Sequence, residues 1–267
     1  MKELLTTTSA AKLAGVGVSS IKRWADEGKL RTVRTPGGHR RLVHSDILSF
    51  VKDPEGHSIL PMADKTGGEW ADAILTMEFH GLQSKLLNAR GRNGSWNKTM
   101  DELALGVQET GNRWANKSIT IGEEHVASEC LSRVLASIYE SIPVDPNAPL
   151  CLLSSAEGDL HTLGLSMLQV VLRELGWRCL WLGAMTPLSE VCHILETKPV
   201  DMVALSASKA STNSVDLARQ INEISGICQK TDTRLVVGGS GVWPEPMPHG
   251  FRTHDFGSLT TMASLTQ

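Results

Sequence analysis

The spacing of apolar residues changes character along this 267-residue chain. From about Glu69 to Ile142 it is helical. Trp70, Ile74, Met77, Leu82 and Leu86 recur at roughly one-turn intervals, as do Leu103 and Val107, then Val126, Cys130, Leu131, Val134 and Ile138. Pro143, Pro146 and Pro149 end that pattern, because proline lacks the N–H a helix needs. From Leu150 onward, short apolar runs alternate with amphipathic stretches. Strands are expected at Leu150–Leu153, Arg178–Leu182, Met202–Leu205 and Arg234–Val237, with helices at Thr162–Leu175, Leu188–Glu196 and Val215–Cys228. This βαβα rhythm predicts a parallel, doubly wound sheet. Gly158, Gly183, Gly238 and Gly239 fall around the strand ends, where such sheets bind ligands.

The first fifty residues follow another pattern. Ser9–Val16 and Ser19–Ala25 read as two short helices around a Gly-bearing turn, which is helix-turn-helix spacing. Ile21 and Trp24 are expected to face inward. Asp53-Pro54-Glu55-Gly56 breaks any helix, and the polar stretch to Gly67-Gly68 reads as a linker.

Charge sharpens this division. Residues 1–52 carry ten Lys/Arg against four Asp/Glu, about +6, while the whole chain is −3. A basic module on an acidic body is the asymmetry expected where one end meets a polyanion. The five cysteines contain no CxxC pair, which argues against a disulfide framework or structural zinc and fits a reducing, cytoplasmic setting. No apolar run approaches a membrane span, and the opening residues lack a signal-peptide core.

Recognition helices present their N-terminal residues to base edges, so Ser19, Ser20, Lys22 and Arg23 are candidates for the major groove. Downstream, Arg34-Thr35-Pro36-Gly37-Gly38-His39-Arg40-Arg41 reads as a hairpin wing. Its glycines let backbone approach phosphate, while His39, Arg40 and Arg41 supply polar and charged contacts. Residues 4–52 resemble the winged-helix domain of the MerR family.

Asp159-Leu160-His161-Thr162-Leu163-Gly164 follows the first expected strand and opens a helix. It resembles the DxHxxG motif of cobalamin-binding domains, such as those of methionine synthase and methylmalonyl-CoA mutase. The resemblance implies that His161 takes the place of the cofactor's own benzimidazole under cobalt. Asp159 would then hold the other ring nitrogen, fixing the tautomer and raising basicity. Gly164 would leave room for the nucleotide tail. The pattern continues with Ser206 after 41 residues, and with Gly238-Gly239 beyond it, positions that line the buried tail in the family. Ser208 stands where the family usually has Leu.

Trp114 precedes Glu124-His125 by nine intervening residues. In this domain order the W-x9-EH pattern resembles CarH-type photoreceptor regulators, which bind adenosylcobalamin beneath a helical cap. The resemblance implies that Trp114 shields the cobalt–carbon bond while Glu124 and His125 surround the adenosyl group. Relatives often carry a His directly after that Trp; this chain has Ala115.

The expected architecture is therefore multidomain: a winged helix-turn-helix over 1–53, a linker over 54–68, a helical bundle over 69–148, and an α/β doubly wound, Rossmann-like cobalamin-binding domain over 149–267. The expected activity is non-enzymatic: a cytoplasmic repressor that binds adenosylcobalamin and a double-stranded DNA operator, self-associates, and changes oligomeric state when light cleaves the cobalt–carbon bond. Two alternatives stay open: a cobalamin-sensing regulator without a light response, and a corrinoid methyl-carrier protein.

Overall fold

The computed structural model describes residues 4–14, 17–18, 21–22, 25, 32–34, 40–44, 47, 59–210 and 212–263. They fall into two compact units that divide between Thr66 and Gly67.

In the first unit β1 (Leu4–Leu5) leads into α1 (Thr7–Ala14), followed by β2 (Thr32–Arg34) and β3 (Arg40–Val43). The three strands form an antiparallel sheet in the order β1-β3-β2, with Leu4 opposite Val43 and Arg34 opposite Arg40. The Thr6 hydroxyl caps α1 by accepting the Ser9 N–H at 3.0 Å. Ala10 and Ala11 carry so little bulk that α1 can lie close to Leu42, with buried Ile21 and Ile47 completing the core. The hairpin expected as a wing is the β2–β3 pair; Thr35 to His39 lie outside the described residues, as does Trp24.

The second unit combines a helical bundle with a sheet. The helices are α2 (Ile59–Leu75), which belongs to this unit from Gly67 on, α3 (Phe79–Asn93), α4 (Trp96–Ala115) and α5 (Ile121–Ser141). Helix α2 starts at Ile59, inside the stretch expected as linker; its Gly67-Gly68 pair sits in mid-helix. Met77 is not helical. It adopts φ 58° in the turn between α2 and α3, where the Thr76 hydroxyl donates to the Ala73 carbonyl at 2.7 Å and draws the chain out of the helix. Val126 is also corrected, being exposed rather than in the core. The buried stripe of α5 runs through Ala127, Leu131, Val134, Leu135 and Ile138, and Val126 lies one residue, about 100° of rotation, off it.

The sheet contains β4 (Leu150–Ser155), β5 (Arg178–Gly183), β6 (Met202–Ser206), β7 (Arg234–Gly238) and β8 (Phe251–Arg252), in the order β5-β4-β6-β7-β8 with every pairing parallel. Helices α6 (Leu163–Glu174), α7 (Leu188–Thr197) and α8 (Ser214–Thr231) connect the strands, and α9 (Phe256–Ala263) follows β8. Side chains alternate across the strands. Cys151, Leu153, Met202, Ala204 and Val236 face α6 and the bundle, in one continuous core with Trp70, Leu103 and Leu131. Leu152, Val203, Leu205, Leu235 and Val237 face Val191, Leu195, Leu217 and Ile224 of α7 and α8.

Polar contacts lock bundle to sheet. The Glu174 carboxylate at the end of α6 takes the Arg90 guanidinium at 2.6 Å and the Trp96 N–H at the start of α4 at 2.7 Å. Among the described residues, no helix is long and apolar enough to cross a membrane.

Candidate functional site

The first sheet connection runs from β4 outward to β5, and a later one brings β6 to the other side of β4. The loops leaving the C-terminal ends of β4 and β6 therefore diverge, opening the crevice in which doubly wound sheets hold ligands. Residues 156–162 form one lip, and residues 207–210 with 212–213 form the other.

The first lip is built tightly. The Ala156 N–H donates to the Ser206 carbonyl at 2.8 Å, the Asp159 N–H donates to the Ala156 carbonyl at 2.9 Å, and the Ser155 hydroxyl donates to the Asp159 carbonyl at 2.7 Å. Asp159 is fully buried. A buried carboxylate is costly unless donors surround it. Its Oδ1 accepts the His161 N–H at 3.0 Å and lies 2.8 Å from His161 Nδ1, and its Oδ2 accepts the Ser208 N–H from the opposite lip. The His161 side chain is itself 59% exposed. With Nδ1 engaged by Asp159, the ring would present Nε2 to a metal.

Deeper in the crevice three expected positions converge on one hydroxyl. A Cβ on Gly164 would lie 3.6 Å from Ser206 Oγ, and one on Gly239 would lie 3.0 Å from it. The Gly239 Cβ would also press to 2.4 Å from the Ala207 carbonyl oxygen, at a backbone φ of 82° that favours glycine. The Gly238 carbonyl accepts the Ala207 N–H at 3.2 Å and the Trp243 indole N–H at 2.8 Å. An exposed imidazole with one nitrogen fixed, at the crevice of a doubly wound sheet, fits a group with a metal centre.

The bundle residues sit apart in sequence but share one end of a helical hairpin. Trp114 lies in the last turn of α4, 47% exposed, with Ala115 exposed beside it. Across the short turn, the Thr120 hydroxyl accepts the Glu123 N–H at 3.2 Å and the Glu123 carboxylate accepts the Thr120 N–H at 2.7 Å, a reciprocal cap that starts α5. Glu124 and His125 follow at once. His125 Nδ1 lies 2.7 Å from Glu124 Oε2, and the Ser128 hydroxyl donates to Glu124 Oε1 at 2.6 Å.

Of the residues expected to contact DNA, Lys22 is exposed one residue after buried Ile21, and Arg41 is half-buried on β3. Arg40 pairs with Arg34 in the hairpin backbone. Ser19, Ser20, Arg23 and His39 lie outside the described residues.

Comparison with known proteins agrees with both halves. A helix-turn-helix domain model matches residues 4–53 and a B12-binding domain model matches residues 149–256. The HTH-type transcriptional repressor CarA of Myxococcus xanthus is 32% identical over 123 residues, 46% of this chain and 42% of CarA. The HTH-type transcriptional repressor CarH of the same organism is 24% identical over 258 residues, 80% of this chain and 83% of CarH. The chain is a CarH-type homologue. Its fold is also that of the Methanosarcina barkeri monomethylamine corrinoid protein, at 15% identity and a TM-score of 0.58, covering 74% of this chain and 97% of that one. In this CarH homologue, Ser155 and Trp243 escape sequence reading because their partners are backbone carbonyls, and the Ser208 N–H escapes it because its partner, the Asp159 carboxylate, lies 49 residues away. Glu157 escapes it for a related reason. Its carboxylate accepts the Leu188 N–H at 3.0 Å and pairs with Arg219 at 2.7 Å, partners 31 and 62 residues away that hold the first lip against α7 and α8.

Proposed function

We propose that this chain is a cobalamin-binding transcription repressor whose grip on DNA is set by adenosylcobalamin and by light. The observation that carries the reading is the Asp159–His161 pair: a fully buried carboxylate orienting a half-exposed imidazole at the switch point of the sheet. His161 would hold cobalt from below through Nε2, and Asp159 would keep the ring in the tautomer that leaves Nε2 its lone pair. Gly164, Ser206, Gly238 and Gly239 would line the nucleotide tail. Trp114 would screen the upper face from water, while Glu124 and His125 hydrogen-bond around the adenosyl group. When bound, adenosylcobalamin would supply a cobalt–carbon bond that light cleaves. The helix-turn-helix would read an operator through Ser19, Ser20, Lys22 and Arg23, with His39, Arg40 and Arg41 on phosphate.

The test is DNA binding by full-length protein, against operator fragments selected from a random pool, with and without adenosylcobalamin, in the dark and after illumination. Tight binding is expected only with adenosylcobalamin in the dark. Equal affinity in all four conditions overturns the reading.

A further inference from the structure

Helix α8 buries an apolar stripe of Leu217, Ile221, Ile224 and Cys228, and within that stripe stands Gln220, 2% exposed. A buried primary amide is costly unless both its halves are used. Gln220 spends both on one residue of the first lip. Its Oε1 accepts the Glu157 N–H at 2.9 Å, and its Nε2 donates to the Glu157 carbonyl at 3.4 Å. The neighbouring Arg219 takes the Glu157 carboxylate at 2.7 Å. One helix therefore holds both the backbone and the side chain of Glu157.

The start of the same helix belongs to the second lip. Asn213 ends that lip, and its side-chain oxygen accepts the Val215 and Asp216 N–H groups at 3.1 and 3.0 Å, capping α8. Gln220 lies two turns on, about 10 Å along the helix axis. A hydrogen-bonded helix does not stretch, so α8 is a strut of set length between the two lips. The first lip has one loose joint between Glu157 and Asp159. Gly158 adopts φ 85°, with open space where a Cβ would stand. Gln220 fixes the chain before that joint, and the Ser208 N–H on the Asp159 carboxylate fixes it after.

We infer that Gln220 is a positioning residue for His161: by tying Glu157 to α8, it sets where the imidazole held by Asp159 stands across the crevice. This rests on the reading of His161 as the lower ligand. A bond from nitrogen to a metal tolerates a displacement of only about 0.2 Å. A first lip free to turn at Gly158 would therefore offer its imidazole at the right place for only part of the time.

The experiment titrates full-length protein with aquacobinamide, a corrinoid without the nucleotide base, so that any nitrogen on cobalt comes from the protein. The visible spectrum gives both the affinity and the nitrogen-ligated fraction. Gln220→Met keeps the side chain's length in an apolar stripe and removes both hydrogen bonds. It is expected to lower affinity about tenfold and to leave part of the cobalt water-ligated at saturation. Arg219→Ala changes a half-exposed side chain outside the core and should move both readings the same way by less. Ile224→Val removes a core methyl from the same helix, so it should lower the melting temperature and leave affinity and spectrum at wild type. In a His161→Ala background, Gln220→Met should cost almost nothing further, because two residues acting through one contact are not additive. A full tenfold loss in that background overturns the positioning role and makes Gln220 a part of the scaffold alone. Wild-type affinity and spectrum in folded Gln220→Met overturn it too, as they would in Arg219→Ala should Gln220→Met fail to fold. Affinity and spectrum unchanged by His161→Ala itself overturn the lower ligand, and the positioning role with it.

Discussion

At the scale of single residues, the site depends on how a carboxylate is held. Asp159 spends one oxygen on His161 and the other on the Ser208 N–H. Asp159→Asn keeps the shape but replaces an anionic acceptor with a neutral one, so cobalamin affinity should fall about 10- to 100-fold. His161→Ala should fall further and lose the spectrum of nitrogen ligation. Equal affinity for Asp159→Asn and wild type, measured by spectral titration, would contradict this role. Glu157 gives a pH-dependent counterpart. The Leu188 N–H, then the Arg219 guanidinium, hold its carboxyl below the usual carboxylate range. A depressed folded pKa contributes stability that is present above the unfolded pKa and lost as pH falls through the folded one. Glu157→Gln should therefore lower the melting temperature at neutral pH and narrow its gap to wild type in acid. A gap that is constant from neutral to acidic pH would exclude the linkage. Ala115 offers a third case. Its methyl group has no lone pair, so illuminated protein should hold water on the upper face of cobalt unless another His moves in, with His125 the nearest by motif. A bis-imidazole spectrum gained only in Ala115→His supports water. One already present in wild type and surviving His125→Ala would show that a different His serves.

At the scale of elements, close approaches decide which positions tolerate change. A Cβ on Gly106 of α4 would lie 2.3 Å from Trp70 Cβ of α2, at a crossing inside the core. Gly106→Ala should destabilise by about 1–3 kcal/mol through overpacking, read by urea denaturation, without altering the cobalt spectrum. Gly239→Ala should destabilise as well, since its Cβ would press on the Ala207 carbonyl oxygen at a left-handed φ, and should in addition weaken cobalamin binding beside Ser206. Destabilisation by both with affinity intact would refute the division. These contrasts also explain what the sequence disclosed. The doubly wound sheet was legible because strands covered on both faces read as short apolar runs, as Leu150–Leu153 and Arg234–Val237 do. Asp159 and His161 were legible because the contact joins residues two apart. The start of α2 was not, because glycines in the middle of a helix look like a linker when the opposing helix is unseen. Val126 was misplaced for lack of a neighbour to fix the rotation of α5. Glu157 and Ser155 left no local signal, since their partners lie across the fold or on the backbone.

At the scale of the whole molecule, the proposed function requires that binding at one unit alter what the other does on DNA. A ligand shifts an equilibrium only by its preference for one state. Moving an assembly from almost wholly open to almost wholly closed takes about 10⁴-fold preference. The exposed apolar residues of the second unit show where that preference can arise. Trp114, Ile121 and Val126 cluster at the hairpin end of the bundle, and Leu160, Met185, Val215 and Val242 lie on or beside the loops at the C-terminal edge of the sheet. A cofactor bridging these two groups would order the cap, and self-association would then follow from the surface the ordered cap presents. Each chain contributes one basic module of about +6 over residues 1–52. Joining modules in one oligomer raises apparent DNA affinity by about 10²–10⁴ without any new contact. Elution volume and DNA affinity should therefore change together: larger species and tighter binding with adenosylcobalamin in the dark, smaller species and weaker binding after light. The salt dependence offers a separate reading, because each phosphate contact adds about one unit to the slope of log K against log salt. The dark, loaded protein should have a slope steeper by the contacts of each added module, and Arg40→Ala, Arg41→Ala should flatten it by about two units for every module engaged. One elution volume for ligand-free, dark and illuminated protein, with one salt slope for all three, would remove self-association from the mechanism.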